Sequence, residues 1–256
     1  MSRIVSCRTA WKFLLVPMCA AALALTSRGV TAPAGNSTAK LPPNGRIMYN
    51  MSSAMVSGSM TISWLQGGAR MRQDMNMKTS MSAPRGRSNG GPATIKGWTI
   101  YDGTYVYTYM PMMGSGGGKR VMRMKLPPEV SRRMMMGGLN SLAGPAGQSK
   151  VVGKATLLGK PCQIRESTMS NQRVKARTRL WMWQGLPLRI ESTMQVSGMQ
   201  AGRAPNAAAS QTRTIRTNLV ATKVDTSSKP SAALFKVPAG YSVQDMRMPT
   251  SMGRLR

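Results

Sequence analysis

Two side chains in this sequence have the types that a nucleophile and a base require: Cys162 and Glu166. On an extended strand they share a face but stand roughly 13 Å apart, too far for proton transfer. The other acids, Asp74, Asp102, Glu129, Glu191, Asp225 and Asp245, are scattered and form no paired-carboxylate motif. Histidine is absent, which removes the commonest general base and metal ligand. The glycine-rich run at 114–118 is followed by neither a Lys-Ser/Thr pair nor a helix start, so it is not read as a phosphate cradle. The residues therefore predict no enzyme and no cofactor.

Methionine is the outlier, with 25 copies against two phenylalanines. Close groups form at Met110, Met112 and Met113, at Met122 and Met124, at 134–136, and at Met246 and Met248. Thioethers bind Cu(I), but Arg123 and Arg247 interrupt these groups and disfavour a cation. Two readings stand beside copper. The methionines pack a core, or they line an adaptable apolar surface that accepts ligands of varied shape, such as acyl chains.

These side chains need strands to position them. In residues 173–196, Val174, Ala176, Leu180 and Met182 fall on even positions, and Arg173, Lys175, Arg177 and Arg179 on odd ones. A period of two is a strand with one buried and one wet face. Gly185-Leu186-Pro187 reverses the chain, and Leu188, Ile190, Met194 and Val196 alternate against Arg189, Glu191 and Gln195. Such a hairpin needs a sheet around it to be stable.

Elsewhere, Met60, Ile62 and Trp64 alternate with polar residues, Gly67-Gly68 turns, and Met71, Met75 and Met77 resume the pattern. Asp102-Gly103 between two β-rich runs predicts a type I′ hairpin. Tyr105, Tyr107 and Tyr109 share a face, as sheet packing or as an aromatic platform. Residues 127–142 open with Pro-Pro-Glu, suited to a helix N-terminus. Val130, Met134, Leu139 and Leu142 follow at helical spacing, weakened by Gly137-Gly138. Turns are expected at Gly159-Lys160-Pro161 and a late strand over 211–222. The count is about ten or eleven strands and one main helix, mostly β with minor α.

The start reads as a secretion signal. Arg3, Arg8 and Lys12 precede a short apolar run at 13–25, and Val30-Thr31-Ala32 or Ala22-Leu23-Ala24 offers a small-residue cleavage site. The expected organisation is a signal over 1–32, a flexible lead-in over 33–45, one domain over 46–243 and a basic tail over 244–256. Removing Arg3, Arg8, Lys12 and Arg28 lowers the formal charge from +29 to about +25. That favours anionic partners, and export argues against nucleic acid among them. The alternative is that Lys and Arg simply occupy solvent faces of strands. Cys162 is the one cysteine past the signal, so no internal disulfide is expected.

The order of segments resembles the LolA/LolB-type lipoprotein carriers and their exported relatives. The residues that carry this are Trp98 to Tyr107 with its Tyr-Asp-Gly turn, Gly159-Lys160-Pro161-Cys162, and Leu180-Trp181-Met182-Trp183. Gly185-Leu186-Pro187-Leu188-Arg189-Ile190-Glu191 and the closing segment from Phe235 to Tyr241 add to it. The resemblance covers roughly residues 46–243. It implies a curved antiparallel sheet forming an unclosed half-barrel under a helix lid, with acyl chains of a lipid or lipoprotein held on the concave face.

The expectation is an exported, periplasmic or envelope-located, monomeric carrier or sensor. Its cavity would be lined by Trp64, Met122, Met124, Met134, Leu139, Leu180, Met182 and Ile190. Arg120, Arg123, Arg177, Arg179 and Arg189 would form a basic rim for an anionic headgroup or membrane surface, and 127–142 would gate entry. A structural or envelope-surface-binding protein acting through its charge is the rival.

Overall fold

A computed structural model describes residues 41–79, 94–111, 119–131, 134–135, 149–171, 174–197 and 212–246. The signal expected over 1–32 and Leu139 lie outside them. Twelve strands follow in chain order: β1 (Gly45–Ser53), β2 (Val56–Leu65), β3 (Arg70–Thr79), β4 (Thr94–Tyr101), β5 (Tyr105–Tyr109) and β6 (Arg120–Lys125). Then come β7 (Lys150–Leu157), β8 (Lys160–Ser170), β9 (Val174–Trp183), β10 (Leu186–Val196), β11 (Arg213–Asp225) and β12 (Ser242–Asp245). All belong to one sheet in the order β12-β6-β5-β4-β3-β2-β1-β11-β10-β9-β8-β7. Neighbours are antiparallel except β12, which runs parallel to β6. The two edges, β12 and β7, do not meet, so the sheet is not closed.

The sheet curls. Val106 on β5 and Leu180 on β9 belong to one apolar cluster although six strands lie between theirs. The buried Tyr49 hydroxyl on β1 donates to the Pro187 carbonyl on β10 at 2.9 Å, passing over β11. We call the face that carries this cluster inner. It holds Ile47, Tyr49, Ile62, Trp64, Met71, Tyr101, Ile190 and Leu219, as alternation requires. A smaller cluster of Leu65, Trp98, Ile100 and Val121 lies on the outer face, where the 3-10 turn Ala232–Phe235 covers it with Phe235.

Several turns differ from the sequence expectation by one residue. The chain reverses at Leu158-Gly159 and at Gln184-Gly185, both residues of each pair having positive φ. That is the two-residue I′ geometry, and it leaves Pro161 and Pro187 inside strands. Proline cannot donate to the ladder, and the register shifts between Pro187 and Arg189. At Asp102-Gly103 only Gly103 has positive φ. The Asp102 carboxylate shapes that turn instead, accepting the backbone N–H groups of Thr104 and Tyr105 at 2.8 Å each.

The segment entering β1 is docked from Leu41 onward. The Trp64 indole N–H donates to the Pro42 carbonyl at 2.8 Å, and the Gly67 N–H to the Pro43 carbonyl at 2.7 Å. Gly45 leaves the room that Trp64 fills: a Cβ there would run into the indole. In the segment expected as a helix lid, residues 128–131, 134 and 135 are helical, with the Ser131 N–H bonded to the Pro127 carbonyl at 2.9 Å.

Candidate functional site

The inner face is graded along its strands. Towards the Trp64 end the side chains are closed to solvent: Ile47, Ile62, Trp64, Met71 and Leu188 are at most 1% exposed. Towards the opposite end the same face carries Met51, Met75, Met77, Ile95, Met194 and Ile215, all half-buried. Pairing places them together. Met51 stands opposite Gly58 and Leu219, Met60 opposite Met75, Met77 opposite Ile95, and Met194 opposite Ala176 and Ile215. Directly opposed residues share a face and touch. Met48 stands on the outer face, opposite Thr61 and Lys223.

The sequence-predicted cavity residues divide. Trp64, Leu180 and Ile190 are packed inside the main cluster. Met124 and Met182 are half-buried against it, and Met122 is half-buried on the same face of β6 as Met124. Met134 is 40% exposed, and its neighbour Met135, 1% exposed, takes the inward position. The buried helical stripe, Ser131 and Met135, lies one residue beyond the expected one, Val130 and Met134, which are 45% and 40% exposed. The half-buried band from Met51 to Met194 was not singled out from the sequence. The signal was present: these methionines keep the period of Trp64 and Ile190 but sit at the other ends of the strands.

The cations do not ring the inner face. Arg177 and Arg179 alternate with buried Leu180, so they stand on the outer face, both donating to Glu166 Oε2 at 2.9 and 2.6 Å. Those bonds hold the Glu166 carboxyl below its ordinary range. Arg189, also outward, pairs with Glu191 and lies over the Trp181 ring, 5.0 Å from its centroid. Arg123 lies outward too. It forks onto Asp245 at 2.6 and 2.9 Å, clamping β12 to β6, and stacks over Tyr105. Arg120 alone shares the face of Met122 and Met124. Four of the five residues of the expected rim thus stand on the outer face, a direct result of the two-residue period.

Cys162 is buried, its thiol lies 3.4 Å from the Lys160 carbonyl, and burial raises its pKa. A protonated, enclosed thiol is a weak nucleophile, and Glu166 is committed to two arginines. The tyrosine stripe faces outward: Tyr107 and Tyr109 pack against the smaller cluster, and Tyr241 meets Trp98 and Tyr109 edge-on at 5.3 and 4.8 Å. The sequence reading also missed a half-open outer cleft of about 430 Å³ beside this cluster, between the β4–β5 hairpin, Arg123 and the segment after the 3-10 turn.

No protein-family model and no curated protein matches the chain. Among solved structures, the crystal structure of MucB in complex with MucA(peri) is similar, with 13% sequence identity and a TM-score of 0.37. The match covers 79% of this chain and 57% of that one, so this chain spans little more than half of MucB's length.

Proposed function

We propose that this chain is an exported, non-enzymatic carrier or sensor that holds an acyl chain, of a lipid or an acylated protein, against the open end of its inner face. The observation that carries this reading is the half-buried methionine band from Met51 to Met194, continuous with a packed core and left unclosed by the sheet. Methionine is flexible and polarisable, suited to a chain of variable shape. Each methylene removed from water contributes about 0.8 kcal/mol, so a long chain needs few polar contacts. The segment expected as a lid, helical at 128–131, 134 and 135, would gate access, with Met135 as its anchor. The outward arginines would meet an anionic envelope surface.

A second reading, a charged envelope-binding scaffold, is favoured by one observation. Trp64, Leu180 and Ile190, three of the residues expected to line a cavity, are instead packed in the main cluster and at most 3% exposed.

Native mass spectrometry of the mature protein purified from its own envelope, followed by organic extraction, separates the two. A stoichiometric lipid or acylated peptide, lost in Met194→Arg, supports the carrier. A bare protein that also takes up no fluorescent fatty acid sinks it and leaves the scaffold. Met194 is the better probe than Leu180, whose replacement by arginine would bury a charge in the core.

A further inference from the structure

The outer cleft is built on an anchored frame. Its roof, the 3-10 turn Ala232–Phe235 and the residues after it, is held to the sheet by three contacts. Phe235 is buried in the smaller cluster, Arg72 Nη1 donates to the Leu234 carbonyl at 3.1 Å, and Tyr241 packs against Trp98 and Tyr109. Ser231 caps the turn by accepting the Ala233 N–H. The cleft, open to solvent on one side, has a volume of about 430 Å³, within the roughly 300–1,000 Å³ of small-molecule sites.

Its charges are unbalanced. Arg70, Arg123 and Lys236 line it against a single acid, Asp102. Arg123 is answered by Asp245. Asp102 is occupied with the backbone of its own turn and in contact with the Tyr107 hydroxyl. Arg70 and Lys236 have no ion-pair partner among the described residues. Both are exposed, and the rest of the lining is largely apolar, including the Tyr107 ring, Phe235 and Val237. A site with a few convergent polar groups on an apolar wall recognises a ligand of the same pattern.

We propose that this cleft binds a small anionic amphiphile, its carboxylate or phosphate group between Arg70 and Lys236 and its apolar stem along Tyr107, Phe235 and Val237. This site is on the opposite face of the sheet from the acyl-chain surface and does not rest on that reading.

Calorimetric titration of the mature protein with hexyl phosphate, hexanoate, inorganic phosphate and hexanol tests it. The expected result is binding of hexyl phosphate or hexanoate that weakens about fivefold in Arg70→Gln and again in Lys236→Gln. Both variants should keep the wild-type melting temperature and circular dichroism, and Met194→Arg should bind as wild type does. Hexanol binding as tightly as hexyl phosphate would remove the anion from the proposal, and inorganic phosphate binding as tightly would remove the stem; either overturns it. So does unchanged affinity in both glutamine variants, or no binding by any probe. Phosphatidic acid vesicles then separate the sources: displacement of hexyl phosphate by them, and not by phosphatidylcholine vesicles, supports a lipid headgroup. Failure to displace supports a soluble ligand.

Discussion

Trp64 and Met194 stand on the same face of the same sheet, yet one is sealed and the other half-buried. At the Trp64 end the inner residues are mostly aromatic or branched, and their polar atoms are answered: the indole by Pro42, the Tyr49 hydroxyl by Pro187. At the Met194 end the inner residues are mostly methionine, and cross-strand contacts such as Met60 with Met75 do not close them off. Rigid side chains with fixed partners specify one packing, whereas methionine accommodates several. The two ends therefore divide the labour of one face, fold stability at one and an adaptable apolar surface at the other.

The sharpest way to break this division is to remove bulk at the sealed end. Trp64→Ala is expected to cost about 3–5 kcal/mol in denaturant melts, because a residue that is 0% exposed leaves a cavity its neighbours cannot fill. A loss under about 1 kcal/mol would mean that the Trp64 end is not the structural one. Tyr49→Phe comes next. It strips the Pro187 carbonyl of its donor at the bulge of β10, with an expected loss of about 1–3 kcal/mol. Burial pushes the Tyr49 phenol far above its ordinary pKa, so the loss should not vary across the neutral and mildly alkaline range.

Alternation alone made most of this sheet legible. Met60, Ile62 and Trp64, and Leu180 with Ile190, point inward as their period requires. Alternation reports which face a residue takes, not how far along the strand the cover extends, so the sealed and open ends read alike. It also placed Arg177 and Arg179 opposite Leu180, which already excludes a rim around the concavity. The turns at Gly159 and Gly185 were seen, but the positive φ at Leu158 and Gln184 was not, because neither residue type signals it. Beyond the reach of local pattern were the parallel pairing of β12 with β6 and the outer cleft. Both depend on Arg123 meeting Asp245 and on Phe235 meeting Val121, contacts between segments over a hundred residues apart.

At the open end the expected stability effects are smaller and the functional ones larger. Met194→Leu conserves volume and should change stability by less than about 1.5 kcal/mol. If the band serves as an adaptable surface, combining Met51→Leu, Met75→Leu and Met194→Leu should narrow the range of fatty-acid chain lengths taken up while leaving the melting temperature near wild type. A triple variant that melts like the Trp64→Ala protein would show that both ends are structural, and the division would fail.

The smallest effect lies on the outer face, at Glu166. Two arginines hold its carboxyl below the ordinary value of 4.5. A carboxylate with a depressed folded-state pKa stabilises the fold above its unfolded pKa, and that contribution fades as pH falls through the folded value. Arg177 and Arg179 are about half exposed, so solvent and salt screen the pairs and keep the contribution small. Glu166→Gln should therefore flatten the acid limb of a pH–stability profile below about pH 4.5. At neutral pH, raised salt should shrink the difference from wild type. The inner face bears no part of this pairing, so fatty-acid uptake by Glu166→Gln should match wild type at neutral pH. Lost uptake would couple the two faces of the sheet and would require the arginine array to act at the acyl-chain surface after all.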